Sequence, residues 1–225
     1  RLRSIYSILK KEKYDIVHIN ADDAIEGLFN IILSKLSGAK IVLHAHTTSS
    51  SRGEGFIGRL KMLSAKKIVN FLVDYKLACS LEAAVYLYGD TDLSDVAIIK
   101  NGIIINDFLY NEELRQNVRE NLNIPMEAIV LGTIGRLSYE KNPEFMVSLI
   151  QTLFSKAPNF YFIWIGDGEE RASIEKKLDE EIKSGRVLLL GKQEQPAQYL
   201  QAMDVFLLPS LYEGFGIVNN EAQTS

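Results

Sequence analysis

Apolar residues recur along the chain at two spacings, which separate helices from strands. A spacing of three and four residues predicts helices, and short apolar runs rich in β-branched residues predict strands that are buried on both faces. Helices are predicted over residues 1–11, 24–36, 57–73, 81–88, 143–154, 169–183 and 197–202. Strands are predicted over residues 14–19, 40–46, 75–79, 96–99, 129–134, 160–165, 187–190 and 204–208. This alternation predicts an α/β fold with parallel sheets.

A break in the pattern between residues 106 and 124 divides the chain. Asn101 and Gly102 form a turn signal, and residues 112–123 are polar and charged. We therefore expect two Rossmann-like domains, over residues 1–106 and 107–225, which face each other across a cleft. Ligands of open α/β sheets bind outside the carboxyl ends of the strands, so candidate site residues are expected there.

A strand, a glycine turn and a helix near the end of the chain form the first candidate site. Pro209 ends the preceding strand, and Gly214 and Gly216 permit a tight turn close to a ligand. The helix that follows would present unpaired N–H groups, which attract anions. Glu213 precedes the turn and Glu221 lies two helical turns later. Such a joint suits a sugar nucleotide, and it also fits a helix-capping turn with two solvated glutamates.

The loop after the first strand of the second half is the second candidate site. Residues 135–142 read Gly-Arg-Leu-Ser-Tyr-Glu-Lys-Asn, so Gly135 is followed by the cations Arg136 and Lys141. The fork of donors on arginine and the point charge of lysine suit a diphosphate, whose negative charge grows as its bond to a sugar breaks. Two solvated loop cations are the alternative interpretation.

These motifs in combination resemble the retaining GT-B glycosyltransferases of family four. The resemblance is carried by Glu-x7-Glu with its Glu-Gly-Phe-Gly core over 213–221, by Gly-Arg-Leu…Lys-Asn over 135–142, and by Gly-Asp-Gly over 166–168. Residues 101–108 resemble the family's Asn-Gly…Asp crossing into the second domain, with a looser spacing. The resemblance implies a GT-B fold and extends from residue 14 to residue 221.

The resemblance implies transfer of a sugar from a nucleotide-diphosphate sugar to an acceptor hydroxyl, with retention of configuration. The leaving phosphate would take the acceptor proton, so that no carboxylate nucleophile is required. The implied catalytic residues are Glu213, Lys141, Arg136 and His46. The implied donor-binding residues are Gly135, Arg136, Lys141, Gly166, Gly191, Gly214, Phe215, Gly216 and Glu221. Glu221 would bind the ribose hydroxyls, and the nucleobase would lie near residues 190–192.

Some elements of the family are not found in this sequence. The family's first strand and glycine-rich loop would precede Arg1, and the rest of the second sheet with its closing helix would follow Ser225. We therefore expect a chain that is truncated at both ends, with both domains incomplete. Such a chain is expected to bind nucleotide weakly and to turn over little or nothing alone.

Histidines and aspartates raise the question of a metal. His44 and His46 lie on one face of a predicted strand, but no cysteine or carboxylate cluster completes a ligand set. The resemblance implies instead that His46 lies near the sugar and the acceptor; a core or merely hydrogen-bonded histidine is the alternative. His18 is expected to be structural or to support a site residue from behind. Residues 90–92 read Asp-Thr-Asp and are expected to form a solvated turn. We expect no metal and no cofactor, only a UDP-sugar or GDP-sugar donor.

Composition limits the classes of binding partner and the cellular compartment that we expect. The net charge of −4 gives no global attraction to nucleic acid, and the single cysteine, Cys79, fits a reducing compartment. No apolar run approaches the roughly 18 residues of a membrane span. The basic helix over 57–73 fits either a solvated face or a contact with an anionic membrane. We expect a protein of the cytoplasm or of the inner membrane face, with a saccharide or lipid-linked saccharide acceptor.

Other functions share this fold. A sugar-nucleotide 2-epimerase would use the same donor, but it lacks the paired cations and the Glu-x7-Glu spacing. A non-catalytic nucleotide-sugar-binding fragment would keep the fold and lose the site. An oxidoreductase is disfavoured, because no Gly-x-Gly-x-x-Gly follows any predicted strand. The His-Ala-His-Thr loop over 44–47 resembles bacterial members that build polysaccharides, so polysaccharide or glycolipid synthesis is the expected setting.

Overall fold

A computed structural model gives the structure of the chain, which divides into two units. It describes residues 2–49, 55–90, 92–156, 159–213 and 216–225. One unit comprises Arg1–Asn101 with Tyr212–Phe215, and the other comprises Gly102–Leu211 with Gly216–Ser225. The boundary predicted after Asn106 lies within the second unit as the structure divides the chain. The segment around it packs there, because Phe108 contacts the second unit's core and its carbonyl accepts from Gln201 Nε2 at 3.2 Å.

The first unit is a parallel sheet with strand order β1-β2-β3-β4. Its strands are β1 (Ile16–Ala21), β2 (Lys40–Ala45), β3 (Tyr75–Ala78) and β4 (Val96–Ile98). Its helices are α1 (Leu2–Glu12), α2 (Ala24–Leu36), α3 (Gly55–Leu72) and α4 (Leu81–Tyr88). The predicted cap of α4 is confirmed, since Ser80 accepts from Ala83 N–H at 3.1 Å. Tyr88 ties α4 to the sheet by donating to the carbonyls of Leu43 and Leu77.

The second unit is also a parallel sheet, with strand order β7-β6-β5-β8. Its strands are β5 (Ile129–Ile134), β6 (Phe160–Ile165), β7 (Val187–Gly191) and β8 (Val205–Phe206). Its helices are α5 (Glu112–Asn121), α6 (Pro143–Lys156), α7 (Arg171–Lys177), α8 (Asp179–Lys183), α9 (Ala197–Leu200) and α10 (Ile217–Thr224). Along β6, Phe162 and Trp164 join one core while Ile163 and Ile165 join the other. Both faces of the central strand are therefore covered, and the predicted α/β fold with parallel sheets is confirmed.

Two parts of the second unit differ from the sequence-based expectation. The polar stretch over 112–123 is largely the helix α5, because Val118 and Arg119 turn inward and are buried. The helix predicted over 169–183 is interrupted at Leu178, whose backbone leaves helical geometry and whose side chain is fully buried. Leu178 joins the core that residues of α6 and β6 form.

Candidate functional site

A cavity of about 840 Å³ lies at the carboxyl ends of β5, β6 and β7 in the second unit. It is lined by the loops that follow these strands: Ile134, Gly135, Arg136, Ile165, Gly166, Asp167, Gly168, Lys192, Gln193 and Pro196. This is the end of a parallel sheet at which ligands bind. The predicted site residues Gly135, Arg136 and Gly166 are thus brought together in one cavity, with Lys192 as a further cation.

Glycines allow the loops after β5 and β6 to lie directly against each other. A Cβ atom at Gly166 would lie 1.9 Å from the carbonyl oxygen of Gly135, and one at Gly168 would lie 2.2 Å from that of Leu137. Gly166 also has a φ of +131°, which disfavours any side chain. The loops are further joined where Gly135 N–H donates to Ile165 O at 2.9 Å. The Gly-x-Gly turn therefore serves close backbone packing that shapes the cavity wall.

The end of β7 completes the cavity. Gly191 has a φ of +68°, and its carbonyl accepts from Gly166 N–H at 2.8 Å. Gln193 donates to Leu190 O at 2.7 Å and accepts from the Tyr199 hydroxyl at 3.0 Å, so both ends of its amide are occupied. The sequence reasoning missed Gln193. Its position two residues after the end of β7 is the kind of signal by which the other candidate residues were found.

The loop that carries Lys141 is fixed to the segment after β8. Lys141 ends a short 3₁₀-helix over Tyr139–Lys141, and its stem lies beside Gly135, where a Cβ would be 3.8 Å from the lysine Cδ. Asn142 has a φ of +55° and donates from its side chain to Pro209 O at 3.2 Å. Leu211 N–H donates to Glu140 O at 2.8 Å. The loop that carries Lys141 is therefore joined by hydrogen bonds to the segment that leads into the Glu-x7-Glu motif.

The side chain of Arg136 lies at the rim of the cavity. Its guanidinium is 3.3 Å from the carboxylate of Glu169, and both side chains are more than half exposed. An exposed ion pair of this kind contributes little to stability and exchanges easily with solvent or an incoming anion. Arg136 can therefore bind a negatively charged ligand by giving up only its weak ion pair with Glu169.

The Glu-x7-Glu motif is only partly within the described residues. Gly214 and Phe215, both predicted donor contacts, lie outside them. Glu213 is half-buried, and its backbone carbonyl accepts from the Thr48 hydroxyl at 3.0 Å within the first unit. The helix predicted after the turn is present as α10, which begins after Gly216. Burial raises the pKa of Glu221, which lies half-buried in this helix.

The three histidines of the chain form a column in which His18 lies in the middle of β1, His44 lies near the end of β2 and His46 follows β2. The ring centroids of His44 and His46 are 4.1 Å apart, and those of His18 and His44 are 5.5 Å apart in a stacked arrangement. His46 Nε2 lies 2.9 Å from Asn20 Oδ1. His18 therefore contacts the predicted site histidines through His44, and Asn20 is a neighbour that the sequence reasoning missed.

The environment of His44 and His46 favours neutral imidazoles. Burial, followed by the neighbouring His46 and His18, lowers the pKa of His44 from 6.5 to about 4. Burial is also the main cause that lowers the pKa of His46. His44 Nε2 is buried and has no hydrogen-bond partner among the described residues. Neutral imidazoles at these strand ends are suited to hydrogen bonding with uncharged hydroxyl groups.

The side chains that the structure describes do not form a metal site. Among them, no group of three or more histidine, cysteine or carboxylate side chains could hold a metal ion. In the Asp-Thr-Asp triplet, Thr91 lies outside the described residues, and Asp92 accepts from Ser94 N–H at 3.0 Å. Asp92 is thus engaged in a local turn. Whether catalysis depends on a metal remains a prediction from the sequence.

The chain forms two parallel-sheet units, of which the second has a glycine-lined cavity at its strand ends. This is the architecture of GT-B glycosyltransferases, and the fold predicted from the motifs is confirmed. Residues 114–225, which make up most of the second unit, match the family described as Glycosyl transferases group 1. The chain is also related over its whole length to proteins that are named as glycosyltransferases.

Three of these similarities cover nearly the whole chain. EpsF of Bacillus subtilis, whose name describes a glycosyltransferase, is 27% identical over 100% of this chain and 59% of its own length. The UDP-Gal:alpha-D-GlcNAc-diphosphoundecaprenol alpha-1,3-galactosyltransferase of Escherichia coli is 27% identical, again over 100% of this chain and 59% of its own length. Anabaena Alr3699/HepE, crystallised with UDP and glucose, superposes with a TM-score of 0.81 at 21% identity, over 98% of this chain and 60% of that protein. The chain therefore spans about three fifths of these proteins.

Proposed function

We propose that this chain is part of a retaining glycosyltransferase that moves a sugar from a UDP-sugar to an acceptor hydroxyl. The observation that carries the proposal is the cavity at the ends of β5, β6 and β7, where a glycine-packed wall carries Arg136 and Lys192 at its opening. Cations at the opening of such a wall suit a diphosphate. A GDP-sugar is the other donor that the sequence motifs fit.

The proposed role of Arg136 and Lys141 is to hold the diphosphate of the donor. When the bond between the anomeric carbon and the phosphate oxygen breaks, its electron pair goes to the diphosphate, whose charge grows. Cations fixed beforehand near that oxygen stabilise this charge without further reorganisation. The acceptor oxygen attacks the same face of the sugar, and its proton passes to the leaving phosphate oxygen.

The remaining residues are assigned to the other parts of the donor. Glu213 and the N–H groups of residues 214–216 address the transferred sugar and the adjoining phosphate. Glu221 accepts hydrogen bonds from the ribose hydroxyls, for which its half-buried position on α10 is suited. The nucleobase lies against the backbone of residues 190–192, next to the fixed amide of Gln193. His46 hydrogen-bonds the sugar or the acceptor as a neutral imidazole.

The proposed acceptor is a saccharide or a lipid-linked saccharide of bacterial polysaccharide or glycolipid synthesis. The E. coli relative is named for a GlcNAc acceptor on diphosphoundecaprenol, which is a lipid carrier. A protein that acts on such an acceptor works at the inner membrane face, by peripheral contact. Within the described residues, no helix is both long enough and apolar enough to cross a bilayer.

The test is a calorimetric titration of this chain with UDP, compared between two lysine variants. Lys141→Ala is expected to weaken UDP binding by about 10- to 100-fold, because a charge-assisted hydrogen bond to the diphosphate contributes about 1.5–3 kcal/mol. Lys176→Ala is the matched control, since Lys176 is exposed on α7 outside the cavity lining, and it is expected to leave the affinity unchanged.

Two results would contradict the proposal. Equal UDP affinities of wild type and Lys141→Ala would remove the lysine from the donor site. An epimerised nucleotide sugar, formed without any acceptor, would instead identify a 2-epimerase. Because the chain spans about three fifths of its relatives, its own turnover is expected to be low, and binding is the more informative readout.

A further inference from the structure

Two hydrogen bonds tie the loop after β2 to the end of β1. His46 Nε2 lies 2.9 Å from Asn20 Oδ1, and the Thr47 hydroxyl donates to the Asp22 carbonyl at 2.6 Å. The parallel register places Asn20 opposite His44, so the residues that follow the two strands also lie side by side. The ring of His46 is therefore held through one of its two nitrogens by a side chain of the neighbouring strand.

The atom that Asn20 presents decides which nitrogen of His46 carries the ring proton. An amide oxygen can only accept a hydrogen bond, so the Nε2 atom that faces it donates. A neutral imidazole has a single N–H group, and with the proton at Nε2 the Nδ1 atom bears a lone pair. The ring of His46 then offers an acceptor, and no donor, to a group that approaches Nδ1.

The surroundings of His46 keep its ring neutral. Burial is the main cause that lowers the pKa of His46, and repulsion from His18 adds to it, while the charge of Asp22 acts in the opposite direction with a smaller effect. The ring of His44, whose centroid lies 4.1 Å away, has a pKa of about 4 and is neutral as well. A cation for binding phosphate is therefore disfavoured at this position.

The Nδ1 atom of His46 is left for a ligand by the part of the chain that the structure describes. Among the described residues, the ring hydrogen-bonds only to Asn20, through Nε2. The hydroxyl of the adjacent Thr47 is already donated to Asp22. Because His46 is half-buried, a lone pair without a donor costs free energy there. A ligand that brings a hydrogen-bond donor would satisfy it.

We propose that Asn20 is a positioning residue that holds the His46 ring with Nε2 protonated, so that Nδ1 accepts a hydrogen bond from a ligand hydroxyl. The inference rests on the proposed function, in which His46 contacts the transferred sugar or the acceptor, and it narrows the chemistry of that contact. A hydroxyl group carries the proton that Nδ1 needs. The oxygens of an ionised diphosphate carry none, so His46 recognises a sugar hydroxyl and not the diphosphate.

A tie between β1 and the loop after β2 is the other role that fits Asn20. That connection is already made through the backbone carbonyl of Asp22, which accepts from Thr47. The contact of Asn20 differs because it falls on a ring nitrogen, where it selects between two tautomers of His46. The two roles are separated by a measurement of the tautomer.

The test is nitrogen-15 NMR of the histidine rings in the folded chain, because the chemical shift of a ring nitrogen shows whether it is protonated. The chain has three histidines, and the signals of His46 are assigned from their loss in His46→Gln. Wild type above the pKa of His46 is expected to show Nε2 protonated and Nδ1 unprotonated. Asn20→Leu removes the acceptor and is expected to lose this preference, so that both tautomers are populated.

A conservative variant and a matched control complete the design. Asn20→Asp keeps an oxygen acceptor, so it is expected to restore the Nε2-protonated tautomer and, through its negative charge, to raise the pKa of His46. Asn121→Leu is the same change as Asn20→Leu at an exposed residue that ends α5 outside the cavity lining, and its spectrum is expected to match wild type. Circular dichroism shows that each variant is folded.

Three results would overturn the proposal. These are a wild-type ring that is protonated at Nδ1, an even mixture of tautomers in wild type, and an unchanged tautomer in Asn20→Leu.

Addition of UDP separates this inference from the proposed function. UDP is expected to leave the His46 ring neutral, and a ring that gains a second proton when UDP binds would assign His46 to the diphosphate and contradict the inference. UDP affinity is expected to be equal in wild type and Asn20→Leu, because the cavity lies in the second unit. Absence of UDP binding by a folded chain with the expected tautomer would contradict the proposed function only.

Discussion

The shape of the cavity depends on glycines whose missing Cβ atoms leave room for neighbouring backbone, and the clearest example is Gly168. The absence of a Cβ there admits the carbonyl oxygen of Leu137, to which a Cβ would be 2.2 Å away. Gly168→Ala is therefore expected to lower the free energy of unfolding by about 1–3 kcal/mol and to weaken UDP binding, because the loop after β5 must move. Urea denaturation and UDP titration measure the two effects.

Gly102→Ala is the matched control for this change. Gly102 is exposed, and a Cβ there would meet nothing within 4 Å. The control is expected to keep the stability and the UDP affinity of wild type. A Gly168→Ala protein that is equally stable and binds UDP equally well would show that the close loop packing does not shape the site.

The histidine column is expected to make stability depend on pH. The pKa of His44 is about 4 in the folded protein and 6.5 as an unperturbed side chain, so the unfolded chain binds the proton first as the pH falls. The stability that the neutral ring contributes is complete above pH 6.5, is lost between 6.5 and about 4, and changes no further below that. Urea denaturation across this range should show the decline, and His44→Gln should reduce it.

The pH range of the decline distinguishes the contribution of His44 from the contributions of carboxylates. Asp74 has a pKa below its ordinary value of 3.8, chiefly because Lys35 donates to it, so its contribution is lost below that pH. A flat stability of wild type between pH 6.5 and 4, or an unchanged decline in His44→Gln, would contradict the assignment to His44.

The sequence pointed to motif glycines at this scale but did not give the physical reason for them. It assigned Gly166 and Gly191 to a donor site by resemblance, and the structure shows a packing reason for glycine in the contacts of their backbones. The sequence did not show that the parallel register places Asn20 opposite His44 or that the His18 ring stacks on His44. Contacts across strands depend on register, which a spacing along one strand does not reveal.

At the scale of elements, α5 is the part that the sequence reasoning missed. Its polar composition resembles a linker, because one of its two buried residues, Arg119, is an arginine and only Val118 is apolar. Arg119 is fully buried and donates to the carbonyls of Ala202, Met126 and Ala128 and to the carboxylate of Asp204. A pattern analysis that scores arginine as polar cannot recognise such a helix as part of a core.

The Arg119 network is expected to hold α5 to the second sheet. Burial alone would raise the pKa of Asp204, but Val130 N–H, Arg115 and Arg119 hold it below its ordinary value. Arg119→Met is expected to lower the free energy of unfolding by about 3 kcal/mol, because it leaves buried carbonyls and a carboxylate without their donor. Denaturant unfolding followed by circular dichroism measures this loss.

Lys183→Met is the control for the buried arginine. Lys183 pairs with Asp179 at 2.7 Å on the exposed side of α8, so its loss is expected to leave stability unchanged. Equal effects of the two substitutions would show that Arg119 contributes no more than a surface ion pair does.

At the scale of the whole molecule, alternating strands and helices were sufficient to predict two parallel sheets. Buried parallel strands read as continuous apolar runs, and β2, β5 and β6 show this pattern clearly. The division of the chain was harder to predict, because Tyr212 and Glu213 cluster with the first unit although the second unit precedes them in sequence and continues at Gly216. The amino-acid composition does not reveal that the chain returns to the first unit.

The account as a whole depends on a nucleotide diphosphate in the cavity beside Arg136 and Lys141. The most direct measurement is a calorimetric titration of the chain with UDP and, in parallel, with uridine. The account predicts that UDP binds at least about tenfold more tightly than uridine and that Lys141→Ala narrows this difference. Equal affinities for UDP and uridine in a folded protein would contradict it, since the cations would then have no diphosphate to hold.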